Sequence, residues 1–347
     1  MSTKQVNAGT LKIGGGAAVS IQSMLNVPAQ DIAGNVCQAL ELQAEGCELI
    51  RVAAPNAKAA KLIEALKNAL TVPVCADIHF DYKIALACVE AGADKIRINP
   101  GNIGEKEKIR AVAAACRRRK IPIRVGVNSG SLEREILQKY GAPTAEALVE
   151  SALYHVSLLH SFDFDDMVIS MKASDVRRMY DAYVLASKIT EYPLHLGVTE
   201  AGTEQAGVIK SAAGIGGLLL RGIGDTIRVS LTADPVKEVA AAKRILSAAG
   251  VRRFGPNVVS CPTCGRTKVD LISLAQEAER RLASCDRNIT VAIMGCAVNG
   301  PGEAREADIG IAGGDGCGLI FRRGEVLRKV EEAKLLDELM KEIERVT

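Results

Sequence analysis

The sequence predicts an α/β protein with a (β/α)8 barrel at its N-terminus and a smaller C-terminal α/β domain. Short β-branched runs alternate with longer segments rich in Ala, Leu, Glu and Lys up to about residue 250. Eight strand–helix units in that length are typical of a closed parallel TIM barrel. Beyond residue 250 the alternation stops and cysteines gather. We therefore predict a substrate-binding barrel over residues 1–250 and a second domain over 251–347.

Eight apolar runs are predicted as the barrel strands, with helical patterns between them. An open doubly wound sheet is the competing architecture, and it usually carries a glycine-rich dinucleotide turn after its first strand. The glycines at 14–16 precede the first strand here, which argues against a cofactor loop. The predicted strands are residues 17–24, 48–55, 72–79, 95–101, 122–130, 166–174, 193–202 and 225–233.

The second domain is predicted to be a compact α/β unit that follows a linker at residues 251–257. Its last helix has apolar residues at helical spacing, which predicts the face that packs on the domain core. That apolar stripe consists of Leu335, Leu336, Leu339, Met340 and Ile343. The predicted elements are a helix at 269–284, a strand at 289–295, strands around 308–313 and 318–323, and a helix at 334–346.

Composition argues against several classes of function. Lys and Arg number 44 against 41 Asp and Glu, a net charge of +3 that is too even for general nucleic-acid or membrane-surface binding. Trp is absent, with 6 Tyr and 5 Phe, so aromatic platforms for stacked bases are scarce. We find neither a signal-peptide pattern nor an apolar run of about 18 residues. We expect a cytoplasmic protein with no nucleic-acid or membrane partner.

Polar side chains gather at the carboxyl ends of the predicted barrel strands, where barrel enzymes place their active sites. Residues two apart on a strand share one face, so each strand offers a polar set to the barrel mouth. Four arginines occur in the same Ile-Arg-Val or Ile-Arg-Ile context. The candidates are Gln22, Ser23, Arg51, Asp77, His79, Arg97, Asn99, Arg124, Asn128, Lys172, Glu200, Arg228 and Ser230.

Five of these candidates are cations, and they would repel one another at a single mouth. The acids Asp77 and Glu200 cannot neutralise them all, whereas an anionic ligand can. Arginine binds phosphate through two parallel hydrogen bonds, so the pattern predicts a polyanionic substrate, most simply a diphosphate. The alternative is that each arginine lies on the outer barrel surface and pairs with a helix carboxylate. His79 is either structural or, beside Asp77, catalytic.

The 10 cysteines form two sets. The first five, scattered singly between residues 37 and 116, are predicted to be small buried hydrophobes. In the second set, Cys261 and Cys264 form a C-x2-C turn, and Cys296 opens a Gly- and Pro-rich turn that reaches Glu303. Cys285 and Cys317 are expected to be structural.

Three kinds of chemistry fit the second cysteine set. A zinc ribbon needs a second C-x2-C, which the chain lacks, and a redox disulfide would leave Cys296 unused. An iron–sulfur cluster accepts irregular spacing and a fourth ligand other than cysteine, such as Glu303. The spacing favours the cluster over zinc and leaves both open.

The motifs SCPTCGRT and MGCAVNGPGEAREADIG resemble the 4-hydroxy-3-methylbut-2-en-1-yl diphosphate synthase (IspG/GcpE) family in its two-domain bacterial form. The barrel segments ADIHFDYKIAL, DKIRINPGNIG, IPIRVGVNSGSLE, VISMKASD, LHLGVTEAG and RGIGDTIRVSLTADP resemble it too, so the likeness covers nearly the whole chain. It implies an oxidoreductase of EC 1.17.7. The implied reaction is reductive ring opening and dehydration of 2-C-methyl-D-erythritol 2,4-cyclodiphosphate to 4-hydroxy-3-methylbut-2-enyl diphosphate, in non-mevalonate isoprenoid biosynthesis.

The resemblance also implies a cofactor, partners and roles. It implies a [4Fe-4S] cluster in the second domain, reduced flavodoxin or ferredoxin as electron donor, and a head-to-tail homodimer in which the cluster domain of one subunit caps its partner's barrel. The implied cluster ligands are Cys261, Cys264, Cys296 and Glu303. The implied substrate-binding residues are Arg51, Arg97, Arg124, Asn128, Lys172, Arg228 and Ser230. The implied catalytic residues are Glu200, Asp77, His79 and Asn99, with Glu200 as the candidate for proton delivery.

One segment departs from the family, and one other function class stays open. Residues 24–27 read Met-Leu-Asn-Val, where family members often have Met-Thr-Asn-Thr. The alternative function is a zinc-stabilised TIM-barrel transferase that acts on a phosphorylated metabolite without redox chemistry. An RNA-binding zinc-ribbon protein is disfavoured by the charge and the scarce aromatics.

Overall fold

The computed structural model describes residues 3–283, 285–297, 302 and 304–345. The chain divides into two compact units, with the boundary between Arg252 and Arg253. The first unit contains strands β1 to β10 and helices α1 to α11, and the second contains β11 to β15 with α12 and α13.

The strands of the first unit form a hairpin and a barrel. The hairpin strands are β1 (Val6–Ala8) and β2 (Leu11–Ile13), which pair antiparallel. The barrel strands are β3 (Ser20–Met24), β4 (Leu49–Ala53), β5 (Val74–Asp77), β6 (Lys95–Ile98), β7 (Ile123–Asn128), β8 (Met167–Lys172), β9 (His195–Leu196) and β10 (Thr226–Ile227).

The barrel is a parallel sheet that closes on itself. Within the described residues it has eight strands in the order β8-β7-β6-β5-β4-β3-β10-β9. A parallel bridge between Ile169 and Leu194 joins the two ends of that order. Every strand predicted from the sequence overlaps one of these, so the predicted (β/α)8 barrel is confirmed.

Helices follow the barrel strands and cover the outside of the sheet. Aspartates begin several of them, because a carboxylate at the N-cap accepts from the free backbone N–H groups of the first turn. Asp31, Asp175 and Asp234 do so for α1, α8 and α11. The helices are α1 (Ile32–Ala44), α2 (Ala59–Ala69), α3 (Tyr82–Glu90), α4 (Pro100–Ile103), α5 (Lys106–Arg119), α6 (Arg134–Tyr140), α7 (Ala145–His160), α8 (Val176–Ile189), α9 (Glu204–Ser211), α10 (Gly217–Leu219) and α11 (Pro235–Ala248).

Among its described residues, the second unit contains one mixed sheet and two helices. In the described residues its order is β11-β12-β13-β14-β15, with β11, β12 and β13 parallel and the rest antiparallel. The elements are β11 (Asn257–Ser260), α12 (Leu271–Leu282), β12 (Thr290–Met294), β13 (Ile309–Gly313), β14 (Cys317–Arg322), β15 (Glu325–Glu331) and α13 (Leu335–Arg345).

The predicted apolar stripe on α13 is confirmed as its packing face. Leu335, Leu339 and Ile343 are buried in one cluster with apolar residues of the sheet, and Met340 packs against that cluster. The sequence did not reveal β15, whose side chains are mostly exposed and charged. It also assigned the start of β11 to the linker, because that strand is half exposed and lacks a clear apolar face.

The first set of cysteines is mostly buried, as expected. Cys47, Cys75, Cys88 and Cys116 lie in the interior, whereas Cys37 is exposed on α1, so the prediction was wrong for Cys37. Among the described residues, none of the helices combines the length and the apolar character that crossing a bilayer requires.

Candidate functional site

Four of the five predicted cations lie on barrel strands and are buried. The exposed fraction is 8% for Arg51, 6% for Arg97, 1% for Arg124 and 6% for Lys172. Arg228 follows β10, and its side chain is 18% exposed. Three of these residues have carboxylate or hydroxyl partners on neighbouring strands. The outer-surface alternative is therefore wrong for Arg51, Arg97 and Arg124.

Asp77 is the carboxylate that joins two of these arginines. Its Oδ2 lies 2.6 Å from Arg51 Nη2, and its Oδ1 lies 3.1 Å from Arg97 Nη1. His79 Nε2 lies 3.5 Å from the same carboxylate. Burial favours the neutral acid, but Arg51, Arg97 and Arg124 outweigh it and hold the pKa of Asp77 well below its usual range. Asp77 is therefore an ionised anchor for the arginines at neutral pH.

Arg124 has unused hydrogen-bond donors deep in the barrel. Its Nη1 donates to Ser170 Oγ at 2.6 Å, while Nε and Nη2 have no partner among the described residues. Burial, together with the charges of Arg51 and Arg97, lowers the pKa of Arg124 to about 9. Buried donors without acceptors are costly, so the free N–H groups of Arg124 favour the binding of an anion beside them.

Two glycines leave room for the buried cations. A Cβ at Gly126 would lie 2.4 Å from Arg97 Nε, and a Cβ at Gly197 would lie 2.8 Å from Lys172 Nζ. A side chain at either position would therefore require the buried cation beside it to shift. Burial and the charge of Arg124 lower the pKa of Lys172 well below its usual value. Gly126 on β7 and Gly197 after β9 thus provide the space that these two cations occupy.

The remaining predicted site residues lie at the carboxyl ends of barrel strands or in the segments that follow them. Asn99 is buried after β6 and donates from Nδ2 to Ser131 Oγ at 3.2 Å. The amide of Asn128 at the end of β7, with its oxygen turned toward Arg97, accepts from Arg97 Nη2 at 3.2 Å. Glu200 follows β9, is exposed, and has the left-handed φ of 52° that non-glycine residues rarely adopt. Ser230 is half-buried after β10.

Sequence reasoning missed a polar layer deeper in the barrel. Lys95 lies two residues before Arg97 on β6 and is fully buried, and its Nζ has no partner among the described residues. Burial lowers its pKa to about 7. His195 on β9 is equally buried, and burial with the charges of Arg124 and Lys172 keeps its pKa far below its usual value. The i, i+2 spacing of Lys95 and Arg97 was the available signal.

Glu238 on α11 is a buried carboxylate that the sequence analysis also missed. It is 3% exposed, and its Oε1 lies 3.1 Å from Arg228 Nη2. Arg228 therefore has a helix carboxylate as its partner, as the alternative expected, but its side chain is only 18% exposed. Glu238 was missed because it lies on a helix, whereas the sequence pattern considered only residues at the ends of strands.

A buried acid–histidine pair supports the loop beside Asn99. Glu133, at the N-cap of α6, accepts from Ser151 Oγ at 2.7 Å and lies 2.5 Å from His155 Nε2. Burial raises the pKa of Glu133, but these hydrogen bonds outweigh burial and lower it to about 2. A Cβ at Gly101 would lie 3.0 Å from Glu133 Oε1, so the chain after Asn99 packs directly on this pair.

Three cysteines lie at one edge of the sheet in the second unit. Cys261 and Cys264 follow β11, and Cys296 follows β12, its parallel neighbour. The N–H of Gly295 donates to Cys261 Sγ at 3.2 Å, and Lys268 N donates to Gly295 O at 2.9 Å, which holds the two loops together. Glu303 lies outside the described residues.

The side chains at this edge that could bind a metal are the thiols of the three cysteines. Within the described ranges, no three His, Cys, Asp or Glu side chains stand close enough to form a ready metal site. The three thiols nevertheless come from two loops at adjacent strand ends, and a backbone N–H already contacts one sulfur. Thiolates with N–H donors are the usual surroundings of iron–sulfur clusters, so the residues present fit such a group.

The other two cysteines of the second set have ordinary structural surroundings. Cys285 is half-buried and packs against the core cluster of the unit. Cys317 begins β14, and its thiol lies 3.4 Å from the carbonyl oxygen of Asp315.

Comparisons with known proteins match both units. The family model described as the GcpE TIM-barrel domain matches residues 3–243, and that of the GcpE protein C-terminal domain matches residues 257–345. A relative from Clostridium perfringens is 57% identical over 344 residues, covering 99% of this chain and 99% of the relative. One from Geobacter sulfurreducens is 55% identical, covering 99% and 98%. Both are named 4-hydroxy-3-methylbut-2-en-1-yl diphosphate synthase (flavodoxin).

Solved structures resemble the chain in fold alone. Dihydropteroate synthase from Stenotrophomonas maltophilia has a TM-score of 0.53 at 15% identity and covers 72% of this chain and 100% of its own. The Yersinia pestis dihydropteroate synthase has a TM-score of 0.51 at 16% identity, covering 72% and 99%.

The Glu133–His155 pair predicts a specific pH dependence of stability. The pKa of Glu133 falls from about 4.3 in an unfolded chain to about 2 in the fold. Its contribution is therefore present above pH ~4.3 and is lost as the pH falls toward 2. We expect Glu133→Gln to lower Tm at pH 6 and to shrink the drop in Tm between pH 6 and pH 3. Thermal unfolding at both values measures this, with the exposed Glu135→Gln as control. An unchanged drop would contradict the assignment.

Proposed function

The chain belongs to the GcpE family, and from this membership we propose that it catalyses the reductive ring opening and dehydration of 2-C-methyl-D-erythritol 2,4-cyclodiphosphate. The product is 4-hydroxy-3-methylbut-2-enyl diphosphate, an isoprenoid precursor of the non-mevalonate pathway. The observation that carries the proposal is the set of buried cations with unused donors at the barrel mouth. The zinc-dependent transferase finds no support, because the likeness to dihydropteroate synthases is one of fold at 14–16% identity.

The barrel would bind the diphosphate of the substrate through its cations. Asp77 and Glu238 offset part of the buried positive charge, and the phosphate oxygens would offset the rest. Arg124 offers Nε and Nη2 without displacing any partner among the described residues. Asn128 and Ser230 would add hydrogen bonds at the rim. We place the binding set on Arg51, Arg97, Arg124, Asn128, Lys172, Arg228 and Ser230.

The second unit would hold the redox cofactor. Cys261, Cys264, Cys296 and Glu303 are the proposed ligands of a [4Fe-4S] cluster. When bound, the cluster supplies the two electrons that, with two protons, open the ring by breaking a C–O bond to phosphate and release water. Glu303 would supply a carboxylate as the fourth ligand beside the three thiolates.

The residues near the reacting hydroxyl have distinct proposed roles. Glu200 would deliver a proton to the departing oxygen, since its carboxyl group is exposed at the end of β9. Asp77 would stay ionised and orient Arg51 and Arg97. His79 and Asn99 would hydrogen-bond the polyol part of the substrate. The strained backbone of Glu200 is consistent with a side chain held in place for a function.

We propose a flavodoxin as the electron donor, because the names of the relatives include flavodoxin, with ferredoxin as the second candidate. A head-to-tail homodimer is the proposed assembly.

The first experiment tests the cofactor. Protein purified without oxygen is expected to contain about four iron atoms per chain and to absorb broadly near 400 nm. Reduction should produce a spin-resonance signal. Cys296→Ser should lose most of the iron, whereas Cys37→Ser should retain it. Stoichiometric zinc without the absorption band would overturn the cluster and revive the transferase.

A second experiment tests Glu200. Glu200→Gln keeps the size of the side chain and removes the proton, so we expect the iron content to be unchanged and kcat to fall by about 10²–10⁴. The exposed Glu146→Gln serves as the control. Turnover equal to that of the unmodified protein would remove Glu200 from the mechanism.

A third experiment tests the cation cluster. Arg124→Ala removes a buried donor set, so we expect the Kd for inorganic pyrophosphate to rise at least tenfold, about 1.4 kcal/mol. Titration calorimetry measures this, with the exposed Arg110→Ala as the matched control. Equal affinity in both variants would exclude the proposed diphosphate site.

A further inference from the structure

Glu238 on α11 accepts from four donor groups that come from two other parts of the barrel. Its Oε1 accepts from Arg228 Nη2 at 3.1 Å and from the backbone N–H of Leu231 at 3.0 Å. Its Oε2 accepts from Ser23 Oγ at 2.9 Å and from Arg228 Nε at 3.3 Å. The carboxylate therefore ties β3, the segment after β10 and α11 together at one point.

This arrangement divides the guanidinium of Arg228 into two edges. An arginine has five N–H donors in a planar fork, and a carboxylate paired side-on takes those of one edge. Glu238 takes the edge formed by Nε and Nη2. The Nη1 group stays outside this pairing, on a side chain that is 18% exposed.

The segment held by Glu238 includes a predicted substrate contact. Ser230 directly precedes Leu231, whose N–H donates to Glu238. One carboxylate thus sets the position of Arg228 and of the backbone beside Ser230.

We propose that Glu238 is a positioning residue for the diphosphate of the substrate, which holds one edge of Arg228 so that the Nη1 edge and the Ser230 segment meet the phosphate. The inference rests on the proposed function and adds to it a residue on a helix. It also explains why a buried acid stands in a site for an anion: an arginine fixed in one orientation loses less conformational freedom when phosphate binds.

Charge supports the same role. Arg228 is buried near Arg51, and burial with that neighbour lowers the pKa of Arg228, whereas Glu238 opposes the shift. The carboxylate therefore offsets part of the cost of burying the positive charge of Arg228 beside other cations.

A purely structural role would have different consequences. If Glu238 only joined α11 to the barrel, its loss would lower Tm and leave phosphate binding intact. If it acted only as a negative charge near the anion, its removal would tighten binding. Positioning alone predicts weaker binding that depends on the presence of Arg228.

The test measures the binding of inorganic pyrophosphate to the full-length chain by titration calorimetry. Glu238→Gln presents an amide where Arg228 needs an acceptor, and we expect the Kd to rise at least tenfold. Glu204→Gln is the matched control. Glu204 pairs at the exposed surface with Lys237, which lies next to Glu238 on α11. A Kd equal to that of the unmodified protein, or lower, overturns the proposal.

Two further variants keep the test decisive. In an Arg228→Gln background, Glu238→Gln should change the Kd by less than twofold, since neighbours that act as a unit are not additive. A full tenfold loss in that background would mean that Glu238 acts without Arg228. Glu238→Asp keeps the negative charge, which favours retention of the fold. Its shorter side chain moves the carboxylate away from Arg228. It should raise the Kd to an intermediate value, and unchanged affinity would refute the positioning role.

Turnover separates this inference from the proposed function. Because the ground state and the transition state both carry the diphosphate, Glu238→Gln should raise KM with little change in kcat. A fall in kcat at constant KM would refute the positioning role. If Arg124→Ala weakens pyrophosphate binding while Glu238→Gln does not, the diphosphate site stands and only the role of Glu238 fails.

Discussion

Buried positive charge in the barrel is the constraint on which the rest of this site depends. Arg51, Arg97 and Arg124 lie on β4, β6 and β7 of the closed sheet, where little of each side chain is exposed to solvent. An unpaired buried charge is costly, so either neighbouring residues or a bound ligand must reduce that cost. Asp77 bridges two of the arginines, and Glu238 pairs with Arg228. An anion bound here, as proposed, would offset the charge that remains.

The surroundings of the cations follow from the same constraint. Gly126 and Gly197 occur where a Cβ would force a buried arginine or lysine to shift. Lys95 and His195, deeper in the barrel, have pKa values lowered by burial, so they add less positive charge than their residue types suggest. TIM barrels usually fill this space with branched apolar side chains. Here polar groups replace much of that packing, and the helices outside carry the apolar core.

Much of the fold could be predicted because periodicity is a local signal. The barrel strands are short β-branched runs between helical segments, and each predicted run overlaps a strand of the barrel. The hairpin of β1 and β2 was missed, because three-residue strands are too short to show alternation. The exposed edge strand β15 was missed because its side chains are mostly charged. The strand-end candidates Arg51, Arg97 and Arg124 were found because parallel strands bring their carboxyl ends to one face.

The sequence by itself determined the order of strands and helices, the residues at the strand ends, and the excess of cations over acids among them. Each of these depends on neighbours along the chain or on composition. The tertiary structure alone decided which acid meets which arginine. Glu238 on α11 contacts Arg228, and Glu133 at the N-cap of α6 contacts His155 on α7. No periodic pattern in the sequence predicts either contact. Hydrogen-bond partners are chosen by distances in space, and those distances exist only after the sheet has closed.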